Sequence, residues 1–356
     1  MGAKTNAEAI KPLLRDLGQG PTAGRSLTRE EARHCLDLIL DDVATQAQAG
    51  AFLLLQRYKG ETPDELLGFV DAVRGRATTQ SIGPKVEGLL DIGTPYDGRT
   101  RTTSVSVPAS IVAAAAGVPI LLHGEPDIPP KHGYTIGDVL HALGVSTNDA
   151  PEQVERNIEQ VGIGYLRQMN FAPDLVTIKP LREELTLRSP LNMVEKIYDP
   201  ASAPYHLIGL THVPYLEKLA GALTGMGFRK TALVQGMEGN EDLPTNRGVR
   251  VIESADGEDD AELNEYRINA PDFGLTPLPT EEFSNTPTAE RSAQVAEEVL
   301  GCTASDGWRD LVLFNAGFRI YLAGRAQDVA AGIHSARDTL ASGKAAALLE
   351  RWRVKP

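Results

Sequence analysis

Polar and apolar positions divide the chain into two regimes. Near the N-terminus the apolar residues recur at helical spacing behind clear start signals. Thr28-Arg-Glu-Glu31 reads as a capping box, in which the Thr hydroxyl and the Glu carboxylate each accept a backbone N–H. It opens a helix through Leu36, Ile39, Leu40 and Val43. Thr45-Gln-Ala-Gln48 opens a second helix, which ends near Lys59-Gly60, and Thr62-Pro-Asp-Glu65 opens a third with Pro63 in its first turn. These three helices reach about Arg76, and polar residues 78–85 read as a linker.

From Val86 short apolar runs alternate with helical patterns. Strands are expected at Leu89–Ile92, Val118–Leu122, Leu207–Leu210, Thr231–Gln235 and Val249–Ile252. Helices are expected at Ala109–Ala116, Ile136–Leu143, Pro151–Val161, Tyr215–Met226, Ala289–Leu300, Leu311–Leu322 and Val329–Leu340. Such alternation predicts an α/β fold with a mostly parallel sheet covered by helices. The expected division is a small all-helical domain over 1–80, joined by a helix or two from 165–195, and an α/β domain over 81–356. The acidic segment Glu253–Glu265 reads as a solvated loop.

Composition narrows the class. Of 356 residues, 42% are apolar and 23% charged, enough for a full core. The net charge of −13 argues against a generally basic, phosphate-tracking surface, although a local basic cleft stays open. Two distant cysteines, Cys35 and Cys302, form neither a disulfide framework nor a zinc cluster. Residues 1–12 lack a signal-peptide apolar region, and Ile111–Leu122 is too short to span a bilayer, so a soluble cytoplasmic protein is expected.

Four segments carry candidate chemistry. Gly93-Thr-Pro-Tyr-Asp-Gly98 follows a strand, and Arg99, Arg101, Thr102, Ser104 and Ser106 continue it toward a helix. A glycine turn there either aims backbone N–H groups at a phosphate, with Thr94, Asp97 and the following hydroxyls beside it, or is only a tight turn. His123-Gly124 ends a strand, and Lys131 on the next loop is a phosphate contact if ligand collects beyond the strand ends. Glu241 and Asp242 either hold Mg²⁺ against a diphosphate or form an acidic turn. Arg182, Arg188 and Asn192 make a fourth group, an arginine being suited to a carboxylate.

In this order the segments resemble the anthranilate phosphoribosyltransferase family over nearly the whole chain. Leu27-Thr-Arg-Glu-Glu-Ala32 and Lys59-Gly-Glu-Thr-Pro-Asp-Glu65 are similar to its helical domain. Ala113-Ala-Ala-Ala-Gly-Val-Pro119, His123-Gly124, Asp138-Val-Leu-His-Ala-Leu-Gly144, Pro151-Glu-Gln-Val154, Val161-Gly-Ile-Gly164 and Asn315-Ala316 follow its core. The resemblance implies transfer of ribose 5-phosphate from phosphoribosyl diphosphate with Mg²⁺, a diphosphate site at Gly93–Ser106, metal carboxylates at Glu241 and Asp242, and an acceptor-contacting arginine at Arg188. It also implies a homodimer through the helical domain, to which Phe52, Leu53, Leu55 and Phe69 either contribute or belong as core.

Departures cluster in the implied cleft. Pro95 and Tyr96 replace the middle glycines of the family's Gly-Thr-Gly-Gly-Asp-Gly, removing an N–H and adding bulk at the diphosphate. Asn-Ile-Ser-Thr becomes Ser104-Val-Ser-Val107. Lys-His-Gly-Asn-Arg becomes Leu122-His-Gly-Glu-Pro126, which sets Glu125 beside His123 where an anionic acceptor would lie. Gly-Pro-Leu-Thr-Asn-Pro becomes Glu195-Lys-Ile-Tyr-Asp-Pro200. The pattern resembles a divergent paralogue group, and it implies a pentosyl transferase whose acceptor is not anthranilate. Phosphorolysis stays open, because the pyrimidine nucleoside phosphorylases share the architecture. The rival reading is a non-catalytic nucleic-acid-binding protein using Arg99, Arg101, Lys131, Arg182 and Arg188. Under the leading reading a single phosphate group binds between the loop and Lys131, and an extended diphosphate binds poorly.

Overall fold

The structure is a computed structural model that describes residues 8–20, 24–79, 82–211, 213–255 and 263–354. The helical layer forms as its caps dictate. Thr28, Thr45 and Thr62 each close a full capping box, with Glu31, Gln48 and Glu65 reaching back to the cap N–H, over helices Arg29–Leu40, Gln46–Lys59 and Pro63–Arg74. Glu65 does more than cap. Buried, it accepts from Leu27 N, Gln56 Nε2 and Lys59 Nζ and ties the three helices together. Phe52, Leu53 and Phe69 are core, the two rings meeting edge to face at 5.8 Å, so they are not available to a dimer face. Helices Pro173–Thr177, Lys179–Leu185 and Leu191–Ile197 share this core through Leu175, Leu181, Leu191 and Val194.

The α/β part holds one seven-stranded sheet in the order β3-β2-β1-β4-β5-β6-β7. Its strands are β1 (Leu90–Gly93), β2 (Ile120–Gly124), β3 (Ile163–Arg167), β4 (Tyr205–Gly209), β5 (Lys230–Val234), β6 (Val249–Ala255) and β7 (Asn264–Ile268). The first five run parallel, and β6 and β7 add an antiparallel hairpin. The mostly parallel sheet expected from the alternation is present. Helices Ser106–Ala115 and Asp306–Leu322 are almost wholly buried against it.

Two strands escape the sequence pattern. Residues 163–166 of β3 are buried on both faces, so they carry no alternation, and the strand starts directly after Gly162, which ends the preceding helix at φ 98°. β7 is a polar edge strand that starts in the last two residues of the acidic segment, held by cross-strand bonds from Arg250 to Glu265 at 2.6 Å. The expected loop at Glu253–Glu265 is therefore corrected at both ends, and its residues 256–262 lie outside the described residues. The expected linker contains a short helix, Ile82–Lys85, and Thr79 before it is buried and donates its hydroxyl to Pro200 O at 2.6 Å; residues 80–81 lie outside the described residues. Among the described residues no helix is long and apolar enough to cross a membrane.

Candidate active-site cleft

The chain passes from β1 outward to β2 and β3, then returns to β4 on the other side of β1. The crevice beyond β1 and β4 is thus the place where strand order reverses, the usual ligand position in open parallel sheets. Glycines end both strands because backbones crowd there: a Cβ would lie 2.0 Å from Lys196 O at Gly93 and 1.7 Å from Asn240 O at Gly209. A cleft of about 330 Å³ opens at this point, with Asp97, Arg188, Lys196 and Glu238 around it and Arg57 and Glu61 from the helical layer.

The loop after β1 is folded inward. Thr94 donates its hydroxyl to His123 O at 3.2 Å, and Asp97 accepts from Arg188 Nε at 2.7 Å. The Tyr96 ring is 2% exposed, and its hydroxyl meets His123 Nδ1 at 2.5 Å and Tyr198 Oη at 2.8 Å. Tyr96 is therefore corrected from an obstacle at the diphosphate to a core residue whose partner, Tyr198, comes from another substituted segment. Gly98, at φ 74°, lies against Gly133, and its carbonyl accepts from Lys131 Nζ at 2.7 Å.

Arg99 is not a free phosphate ligand. It is 3% exposed, and its guanidinium donates to Asp242 Oδ2 at 2.6 Å and Glu241 Oε1 at 3.1 Å. Burial alone would lower its basicity, but the two carboxylates outweigh burial and hold it above its usual value. Asp242 also accepts from Val105 N at 3.1 Å and Ser104 Oγ at 3.4 Å, at the start of helix Ser106–Ala115. The anion position at this helix start is thus filled by a carboxylate of the chain itself. Ser106 accepts from Arg319 Nη2 at 3.1 Å and lies in the interior. As folded, Glu241 and Asp242 do not fit a divalent ion, because a guanidinium already occupies the cation position between them. Among the described residues no group of three or more His, Cys, Asp or Glu side chains is placed to hold a metal.

Two acceptor candidates also change role. His123 is fully buried, with Nε2 3.3 Å from Asp91 Oδ2 and Nδ1 on Tyr96. Asp91 also has His206 Nδ1 at 2.8 Å; burial would raise its pKa, but the two imidazoles outweigh it and hold the carboxyl below the usual range. Glu125 is 2% exposed and spent within the fold: it accepts from Arg167 Nε at 2.9 Å, Arg167 Nη2 at 2.8 Å and Met169 N at 3.0 Å. Arg167 reaches it because Gly124 and Arg167 are partners in the β2–β3 ladder. Of the three acceptor candidates Arg188, about half exposed, lines the cleft, together with Asp97 and Asn192. Arg182 is buried against Glu195 at 2.6 Å, so the cations named for a nucleic-acid surface are paired with carboxylates: Arg99, Arg182 and Arg188 as described, Arg101 and Lys131 with Glu238.

Three residues of consequence had been given no role at the site. Arg319 stands 3.9 Å from Asp242, and Asn315 accepts from Leu243 N at 2.8 Å, fixing the acidic turn. Lys196 donates to Gly209 O at 3.0 Å and Gly239 O at 2.5 Å; burial brings its pKa down to about 8 against the opposing pull of Asp97 and Glu241. Its place in a substituted segment was the one available signal.

The pattern described as "Glycosyl transferase family, helical bundle domain" matches residues 11–77, and "Glycosyl transferase family, a/b domain" matches residues 89–346. The chain belongs to this glycosyl transferase family. Anthranilate phosphoribosyltransferase of Rubrobacter xylanophilus is 33% identical over 341 residues, 96% of each chain. The crystal structure of anthranilate phosphoribosyltransferase from Thermus thermophilus superposes with a TM-score of 0.82 at 29% identity, covering 97% of this chain and 98% of that one. The Saccharomyces cerevisiae enzyme in complex with PRPP and Mg has the same fold, with a TM-score of 0.82 at 18% identity over 97% of each chain. The expected transferase class and the two-part glycosyl transferase architecture both stand on these matches.

Proposed function

We propose that this glycosyl transferase family member binds a phosphorylated pentose donor of the phosphoribosyl diphosphate type in the cleft and transfers the pentosyl group to an acceptor other than anthranilate. The observation that carries this reading is that Arg57 from the helical layer meets Arg188 and Lys196, eight positions apart, with the carboxylates Glu61, Asp97 and Glu238, around one cleft at the strand-order reversal. In this reading residues 1–80, with helices from 165–195, form one wall of the cleft and residues 81–356 the other. The reaction breaks the bond from the anomeric carbon to the diphosphate oxygen, and the acceptor forms the new bond at that carbon. Fixed cations then stabilise the charge gathering on the leaving group.

Mg²⁺ accompanies the donor in the yeast relative's complex and is carried over as part of this proposal, where it would neutralise diphosphate charge. No step is assigned to Glu241 and Asp242, whose cation position Arg99 holds. The acceptor is read as different because Glu125, where the family resemblance implies an acceptor-facing Asn, is a buried carboxylate bonded to Arg167. Isothermal titration with phosphoribosyl diphosphate and Mg²⁺ tests the donor; saturable binding is expected in place of the poor diphosphate binding that the loop sequence implied, because the Tyr96 ring is folded into the core and leaves the cleft open. Anthranilate turnover in the usual enzymatic range of about 1–10³ s⁻¹ would refute the acceptor assignment.

A further inference from the structure

Beyond β5 the chain makes a backbone excursion that a glutamate rarely adopts. Glu238 sits at φ 55° and ψ 15°, a left-handed conformation costly for a side-chain-bearing residue. That conformation points its carboxylate into the loop after β1. One oxygen accepts from Thr100 N at 3.0 Å and Thr100 Oγ1 at 3.3 Å, and the other from Arg101 N at 3.0 Å and Thr102 Oγ1 at 3.1 Å. Lys131 Nζ lies against the first oxygen, and Arg101 Nε is 3.7 Å from it. The side chain is 1% exposed.

Two consecutive backbone N–H groups, two hydroxyls and an ammonium converging on one pair of oxygens make a donor set suited to a tetrahedral oxyanion. We propose that Glu238 is a resident anion occupying an oxyanion site built from Thr100, Arg101, Thr102 and Lys131, and that a phosphoryl group enters this site only by displacing it. This deepens the donor-binding reading above and rests on it for the identity of the natural ligand. It makes Glu238 a specificity-determining residue: a lone phosphate must compete with a tethered carboxylate, whereas a ligand also held by the neighbouring cleft can displace it. Supporting the geometry, burial alone would raise the Glu238 pKa, yet Lys131 and the Thr100 and Arg101 N–H groups outweigh it and hold it at about 2.

The test uses inorganic phosphate as the probe and isothermal titration of the full chain. Glu238→Gly removes the carboxylate and suits the left-handed backbone, so it removes the plug without adding strain. It is expected to bind phosphate at least about tenfold more tightly than the wild type, because an unpaired, partly buried donor set is left behind. Adding Lys131→Met should cancel the gain. Glu238→Gln, which keeps the volume and loses the charge, should shift affinity in the same direction by less. Equal phosphate affinity in wild type and both single variants, or a gain that survives Lys131→Met, overturns the proposal. Phosphoribosyl diphosphate titrated in parallel separates the two claims. A phosphate gain with no donor binding leaves this site standing and removes the transferase reading. Donor binding without a phosphate gain does the reverse.

Discussion

Replacing Arg99 by Met removes the guanidinium that bonds to both Glu241 and Asp242. All three side chains are within 3% of full burial, and the bonds are 2.6 and 3.1 Å long. The nearby Arg319 stands 3.9 Å from Asp242, too far to replace a hydrogen bond. Glu241 Oε2 and Asp242 Oδ1 already lack hydrogen-bond partners, so the variant strands more buried charge where little compensation exists. Breaking a buried pair by removing one partner costs about 3–5 kcal/mol, and a loss within that range is expected, because Glu241 and Asp242 both lose their cation while Asp242 keeps only Val105 N and Ser104 Oγ. Equilibrium urea unfolding at pH 8 measures it. The loss should shrink as pH falls toward 5, because the native variant then takes up protons that neutralise the orphaned carboxylates while the unfolded chain has no such need. Mg²⁺ supplies a second readout: an ion entering the vacated cation position restores about 2.7 kcal/mol at a hundred times its Kd, and the wild type gains nothing at this position. A loss below about 1 kcal/mol, or one independent of pH, would refute the reasoning.

Glu238 and Tyr96 yield two further expectations. Because the Glu238 pKa is depressed from 4.5 to about 2, its stabilising effect is fully present above about pH 4.5 and disappears as pH falls toward 2. The difference in unfolding free energy between wild type and Glu238→Gln should follow that window, and a difference flat across it would show that the carboxylate charge is not what the loop holds. Tyr96→Phe removes the hydroxyl shared by His123 and Tyr198 and should cost about 1–2 kcal/mol in urea unfolding, less once Tyr198→Phe is already present. Additive losses in that pair would deny the coupling.

Much of this was legible locally. Three capping boxes start at the threonines where the spacing of the hydroxyl and a Glu or Gln side chain placed them, because a cap is made within four residues. Strand positions followed from apolar runs wherever one or both faces are buried and turns flank them. β3 and β7 escaped for opposite reasons. One is buried on both sides and lacks alternation, and the other is a polar edge strand held by its hairpin partner.

The site was legible as a set of positions but not as a set of contacts. Gly93–Ser106, Lys131 and Glu238–Asp242 lie at neighbouring strand ends because β2, β1, β4 and β5 are adjacent in the sheet, and reading each as a loop beyond a strand already located the crevice. Which cation meets which carboxylate was beyond reach of the sequence. Arg99 meets Asp242 across 143 positions and Lys131 meets Glu238 from the loop after another strand, while Glu125 is neutralised by Arg167 only through the β2–β3 ladder. Periodicity and caps are written in nearest neighbours along the chain. Charge pairing depends on distance through space, and that distance exists only once the order of strands has brought remote loops together.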